Sequence, residues 1–131
     1  MFDWSKLVDL SEELLDHQSA KVDEELIHRS VINRLYYGAH STARLGFEMR
    51  YGNVPNDENI HGFVIYKYKK SKDAKARLVG AALARLRLYR NGADYSEDST
   101  THAGDNYSRE LCKSLISQAR SACLDAKNCN I

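Results

Sequence analysis

Residues 30–52 read SVINRLYYGAHSTARLGFEMRYG, a stretch without proline in which apolar side chains recur every three to four positions. Val31, Leu35, Gly38, Thr42, Leu45 and Met49 continue a stripe begun at Ile27, and Tyr36, Tyr37, His40, Arg44 and Phe47 form an adjacent one. A helix with two such faces is central, with neighbours on more than one side. Asp23, Glu24 and Glu25 put negative charge where it offsets the backbone dipole, so this spine is predicted from about Asp23 to Tyr51. Gly38 costs about 1 kcal/mol against alanine in mid-helix, which predicts close approach by another helix there.

Four shorter helices are predicted around the spine. Before it, Asp3 is the expected cap of a helix ending near His17, with Trp4, Leu7, Leu10, Leu14 and Leu15 inward and Asp9, Glu12, Glu13 and Asp16 on a solvated face. After it, Gly52 to Asn56 break the pattern, and a short helix from about Glu58 to Tyr68 offers His61, Val64, Ile65 and Tyr68 inward. Lys67, Lys69, Lys70 and Lys72 follow with Tyr66 and Tyr68 beside them, a solvated helix end or a nucleic-acid contact. The next helix runs from about Asp73 to Asn91, a polar loop spans Ser96 to Gly104, and Asp105 is the expected cap of a last helix. That helix turns Tyr107, Leu111, Leu115, Ala119 and Ala122 inward, and a polar tail from about residue 128 is expected to fray.

Composition bounds the function classes. The chain has 131 residues, 43% hydrophobic and 28% charged, with a net charge of +1, which suits one soluble helical domain and argues against a chain-wide attraction to DNA or acidic membranes. No apolar run approaches the roughly 20 residues of a membrane span, and the acidic N-terminus is unlike a secretory signal, so a cytoplasmic protein is expected. Cys112, Cys123 and Cys129 lack CxxC spacing, and Cys112 and Cys123 read as packing residues. The histidines show no HExxH or other metal spacing, and no phosphate loop, GxSxG or activated-cysteine signature occurs, so neither metal nor cofactor is expected.

One constellation stands out. On the fourth helix Val79, Leu83 and Leu86 make an inward stripe, and Arg90 continues it one turn later, ahead of Asn91, Asp94 and Tyr95. A guanidinium cannot shed its charge, so at an inward position it needs a carboxylate, a phosphate or several acceptors. The outward Lys75, Arg77, Arg85 and Arg87 add a basic flank, and the spine contributes Arg34, Tyr37 and His40. Arginine, histidine and tyrosine together suffice to cut RNA without metal: histidine moves the 2′-hydroxyl proton and arginine stabilises charge on the phosphate. The competing account makes Arg90 and Asp94 a structural pair within a non-catalytic interaction protein, such as an antitoxin, immunity protein or complex-forming partner.

Three segments, SVINRLYYGAHSTARLGFE, IHGFVIYKY and LYRNGADYSED, together resemble the short single-domain branch of the HEPN superfamily. The resemblance implies an all-α, four- to five-helix up-and-down bundle spanning residues 1–131, commonly a homodimer that brings paired arginines to one cleft. It implies binding of RNA or a nucleotide, and an endoribonuclease activity independent of metal, within toxin–antitoxin or phage-defence systems. Its partners would be a cognate antitoxin or a nucleotidyltransferase, with Tyr95 a candidate for nucleotidylation. In the active members the arginine is soon followed by a histidine; here Asp94 and Tyr95 stand in that region, which leaves His40 and His102 as candidate imidazoles beside Arg90 and Asn91. Arg34, Tyr37, Arg87, Asp94 and Tyr95 complete the expected binding set.

Overall fold

A computed structural model describes residues 1–55, 57 and 59–131. Five helices account for nearly all regular structure among them: α1 (Lys6–Asp16), α2 (Glu24–Tyr51), α3 (Ile60–Lys69), α4 (Ala74–Tyr95) and α5 (Arg109–Asn128). The chain is an all-α bundle; the described residues contain no strand, only an isolated bridge between Thr100 and Asn106. No helix is long and apolar enough to cross a membrane among the described residues.

The expectation for α2 holds at both ends. Asp23 caps it by accepting the Leu26 N–H at 3.0 Å, and Gly52 closes it at φ +90, a conformation that favours glycine. The helix touches each of the other four. A Cβ on Gly38 would lie 3.1 Å from Leu7 Cβ and 3.3 Å from the Trp4 carbonyl oxygen, so the glycine is the crossing point of α1. Val31, Ile32, Leu35 and Tyr36 are fully buried beneath α4 and α5 residues such as Leu83, Leu86 and Leu115, whereas Met49, the predicted end of the stripe, is 73% exposed.

Several expectations need correction. Ser5 occupies the N-cap of α1 in place of Asp3, whose carboxylate instead accepts from Ser5 and Lys127. The buried stripe of α1 is Val8, Ser11 and Leu15; Trp4 and Leu10 are largely exposed. Its acids are not merely solvated: Asp9 and Glu12 both grip Arg120, and Asp16 pairs with Arg109, tying α1 to α5. α5 is capped by Ser108 rather than Asp105, whose carbonyl and N–H are used in the turn around Thr101. The tail folds back, with the Asn130 N–H donating to Asp73 at 2.8 Å and Tyr51 donating to the Ile131 carbonyl oxygen at 2.5 Å. The expected start of the third helix at Glu58, and Asn56 in the preceding loop, lie outside the described residues.

The consequential correction concerns α4. It continues beyond Asn91 through Gly92 to Tyr95, so Arg90 and Asp94 sit one helical turn apart on one face. Arg29 of α2 explains the extra turn. Its guanidinium donates to the carbonyl oxygens of Gly92 and Ala93, both at 3.3 Å, Ser96 at 2.7 Å and Asp98 at 2.6 Å, while Nε donates to Glu25 at 3.1 Å. Ala93 is among the carbonyls that a helix end leaves without partners, Gly92 also accepts the Ser96 N–H, and Ser96 and Asp98 follow the helix; a cation there also complements the helix dipole.

Candidate functional site

The inward stripe of α4 ends as its spacing predicts. Leu83 and Leu86 are fully buried, and Arg90, one turn on, is only 7% exposed. Its guanidinium carbon lies 5.1 Å from the ring centroid of Tyr36 and 5.5 Å from that of Tyr37. Its charged partner is Asp94, with Nη1 3.6 Å from Oδ2, beyond hydrogen-bonding distance. Both Asp94 carboxylate oxygens already accept from Asn33 Nδ2, at 3.1 and 2.9 Å. The Nε of Arg90 is buried and has no acceptor among the described residues. The contrast with Arg29 is direct, since every donor-bearing arm of that guanidinium meets an acceptor.

α2 and α3 bring histidines beside this cation. His61 opens the inward face of α3, and its Nδ1 lies 2.7 Å from the Tyr36 hydroxyl. Burial pushes the Tyr36 phenol up to about 12 against the opposing pull of Arg87 and Arg90. The phenol therefore keeps its proton, and the bond runs from the phenol to Nδ1 or from Nδ1–H to the phenol oxygen according to the imidazole tautomer. His40 lies across from His61, with ring centroids 4.3 Å apart, and its Nε2 is buried without a partner among the described residues. Burial, followed by His61 and the Arg44, Arg87 and Arg90 charges, lowers His40 to about 3. Burial first, then the same three arginines, lowers His61. Both imidazoles are neutral at pH 7, set among cations that make a further positive charge costly.

Arg87, expected on the outward side of α4, instead turns partly inward from the turn before Arg90. Its Nε is likewise buried and unpartnered among the described residues, and its Nη1 is 3.8 Å from where a Cβ on Gly62 would stand. Arg44 is neutralised by Glu48 at 2.7 Å. The cluster thus holds two guanidinium groups with buried donors unspent, against one carboxylate already shared with Asn33. An anion with several acceptor oxygens would satisfy those donors and offset the charge. The described residues contain no group of three or more potential metal-ligating side chains.

Of the residues singled out by sequence, the structure brings Arg87, Arg90, Asp94, Tyr37 and His40 together. It places the others apart. Arg34 donates to the Ser30 carbonyl oxygen at 3.3 Å and lines a separate shallow depression with Leu14, Val22 and Leu26. His102 does fold back on α4, but onto Tyr89, with ring centroids 4.5 Å apart. Asn91 is exposed and Tyr95 is 76% exposed, at the solvent end of α4. The sequence selection missed His61 and its Tyr36 partner. The available signal was that His61, like Arg90, interrupts an inward face, one completed by Val64, Ile65 and Tyr68.

Cys112 and Cys123 are buried, and burial pushes the Cys112 thiol up to about 12, far from a reactive thiolate. Compared with protein-family models, curated proteins and solved structures, the chain finds no significant match in any of the three.

Proposed function

We propose that this chain is a HEPN-type domain that binds RNA or a nucleotide by receiving a phosphate between Arg87 and Arg90, with His61 and Tyr37 beside it. The observation that carries the proposal is the buried Arg90 guanidinium, which makes no hydrogen bond among the described residues and has one ion pair at 3.6 Å. A desolvated cation held this loosely is costly to the folded chain alone and becomes favourable when an anion enters. The placement of a toxin–antitoxin or phage-defence role, and of a homodimer with its arginines facing one cleft, rests on the resemblance of the three sequence segments.

The same site supports metal-independent cleavage in part. With its hydrogen on Nδ1, donated to the Tyr36 oxygen, a neutral His61 leaves Nε2 to accept the 2′-hydroxyl proton, and the two guanidinium groups stabilise the charge that builds on the phosphate as the oxygen attacks. A proton donor to the leaving oxygen is the missing component, because His40 resists protonation. Binding is therefore the core of the proposal and cleavage an extension of it. A second reading, a non-catalytic interaction protein, draws support from the Arg90 to Asp94 pair and from Asn33 holding that carboxylate. Gel-shift and cleavage assays on structured RNA in EDTA test the proposal. Wild type is expected to shift the RNA, and Arg90→Met and His61→Ala to lose most of that binding. Shifted but intact RNA confines the function to binding, and no shift by wild type at high micromolar protein removes the proposal.

A further inference from the structure

A second cationic surface lies further along α2, outside the Arg90 cluster. A groove of about 580 Å³ opens between the last turns of α2 and the end of α3, lined on one side by Phe47 and Tyr51 and on the other by Lys67, Lys70 and Lys72. Arg44, Arg109, Arg120 and Lys127 each face a carboxylate, but none of these three lysines has such a partner among the described residues. Two of them lie instead against aromatic rings, Lys67 Nζ 5.4 Å from the centroid of Phe63 and Lys70 Nζ 5.2 Å from that of Tyr66. The nearby acid, Asp73, is already committed to the Lys75, Ala76 and Asn130 N–H groups.

The aromatic wall is fixed in place. Tyr51 is 59% exposed, yet its ring rests on Phe47 at 4.9 Å and its hydroxyl is tethered to the Ile131 carbonyl oxygen. Phe63 supports Phe47 edge-on at 5.7 Å. A large exposed ring held rigidly beside unpaired ammonium groups matches a ligand with alternating flat and anionic parts. An acidic peptide would use the lysines but leave the rings without a counterpart.

We propose that this groove binds single-stranded nucleic acid, with Lys67, Lys70 and Lys72 on the phosphates and Tyr51 stacking on a base. Tyr37, His40, Arg44, Phe47 and Tyr51 follow one face of α2, so a strand with a phosphate at Arg90 reaches the groove after about 21 Å at 1.5 Å per residue. That continuation rests on the function proposed above; the groove itself rests on its own residues.

Fluorescence anisotropy with a short fluorescein-labelled oligouridylate, across a range of salt concentrations, tests both. Lys67→Gln/Lys70→Gln is expected to weaken binding about tenfold and to flatten the log–log salt dependence by about 1.4, roughly 0.7 for each phosphate no longer neutralised. Tyr51→Ala is expected to weaken binding about fivefold or more with the salt slope unchanged. All three positions are exposed, so these variants keep the fold. If the groove variants bind as wild type does while Arg90→Met does not, the groove is overturned and the Arg90 site stands. If the groove variants lose binding and Arg90→Met retains it, the groove is upheld and the continuation falls. Weakening by the lysine variant alone, Tyr51→Ala being neutral, overturns base stacking, and no binding by wild type overturns the whole proposal.

Discussion

Arg29 and Arg90 are two guanidinium groups on neighbouring helices in opposite circumstances, one with every arm on an acceptor and one with a buried donor unspent, as expected if it is held for a ligand. Replacing each by methionine keeps apolar volume and removes the charge. For Arg29→Met, four main-chain carbonyls at the end of α4 and the Glu25 carboxylate lose their donor. Hydrogen bonds from a charged donor contribute about 1.5–3 kcal/mol each, and water recovers part of the loss at the exposed Asp98 end, so about 3–5 kcal/mol is expected in total. For a chain of this size that lowers Tm by roughly 10–20 °C. Arg90→Met forfeits cation–π contacts of about 0.5–2 kcal/mol and a long pair with a partly exposed carboxylate. Against this it removes a desolvated, underpaired cation and its repulsion with Arg87, a relief of comparable or greater size. The net change is expected within about 1 kcal/mol, or stabilising, with Tm moving less than about 5 °C. Thermal unfolding followed by far-ultraviolet circular dichroism reads both variants on one scale. An Arg90→Met variant that melts as low as Arg29→Met would show that the Arg90 pair is structural and refute the reasoning.

Acid should destabilise the fold through the buried histidines before the carboxylates titrate. A folded-state value depressed to about 3 means that the unfolded chain binds the His40 proton first, so stability is complete above about 6.5 and falls as pH drops below it. At about pH 4.5 the expected loss is about 3 kcal/mol, read from urea midpoints; His40→Gln should retain only the share due to His61, and an unchanged pH dependence in that variant would count against the assignment. Gly80→Ala should cost about 2 kcal/mol, because its Cβ would stand 2.7 Å from the Lys69 backbone nitrogen and 3.1 Å from its Cα, where neither can easily yield. A denaturant midpoint equal to wild type would mean that α3 and α4 are less closely fitted.

The spine helix was legible because its signals agree: an acidic cap, two adjacent stripes, and a glycine where α1 crosses. The end of α4 was not, because Asn91 and Gly92 carry ordinary stop signals that a distant side chain overrides. Arg29 supplies the missing donors, and Gly92 leaves room for the Tyr107 hydroxyl, 2.7 Å from where a Cβ would be. α5 starts late for a related reason, since Asp105 is consumed by the Thr101 turn and Ser108 is free to cap. Within the site, Arg90 was visible as a charge on an apolar stripe. His61 was legible as a polar residue on the inward face of α3, but its place in the site was not, because that depends on the bond to Tyr36, a partner 25 residues away in the chain.

The central claim is that Arg90 is held for an anion from outside the molecule. Nitrogen NMR of the arginine Nε and histidine ring signals, during a titration with inorganic pyrophosphate, examines that atom by atom. Saturable shifts of Arg87 and Arg90 Nε are predicted, with a matching change at His61, all absent in Arg90→Met. Signals that stay unmoved in wild type up to millimolar pyrophosphate, in a folded protein, would contradict it.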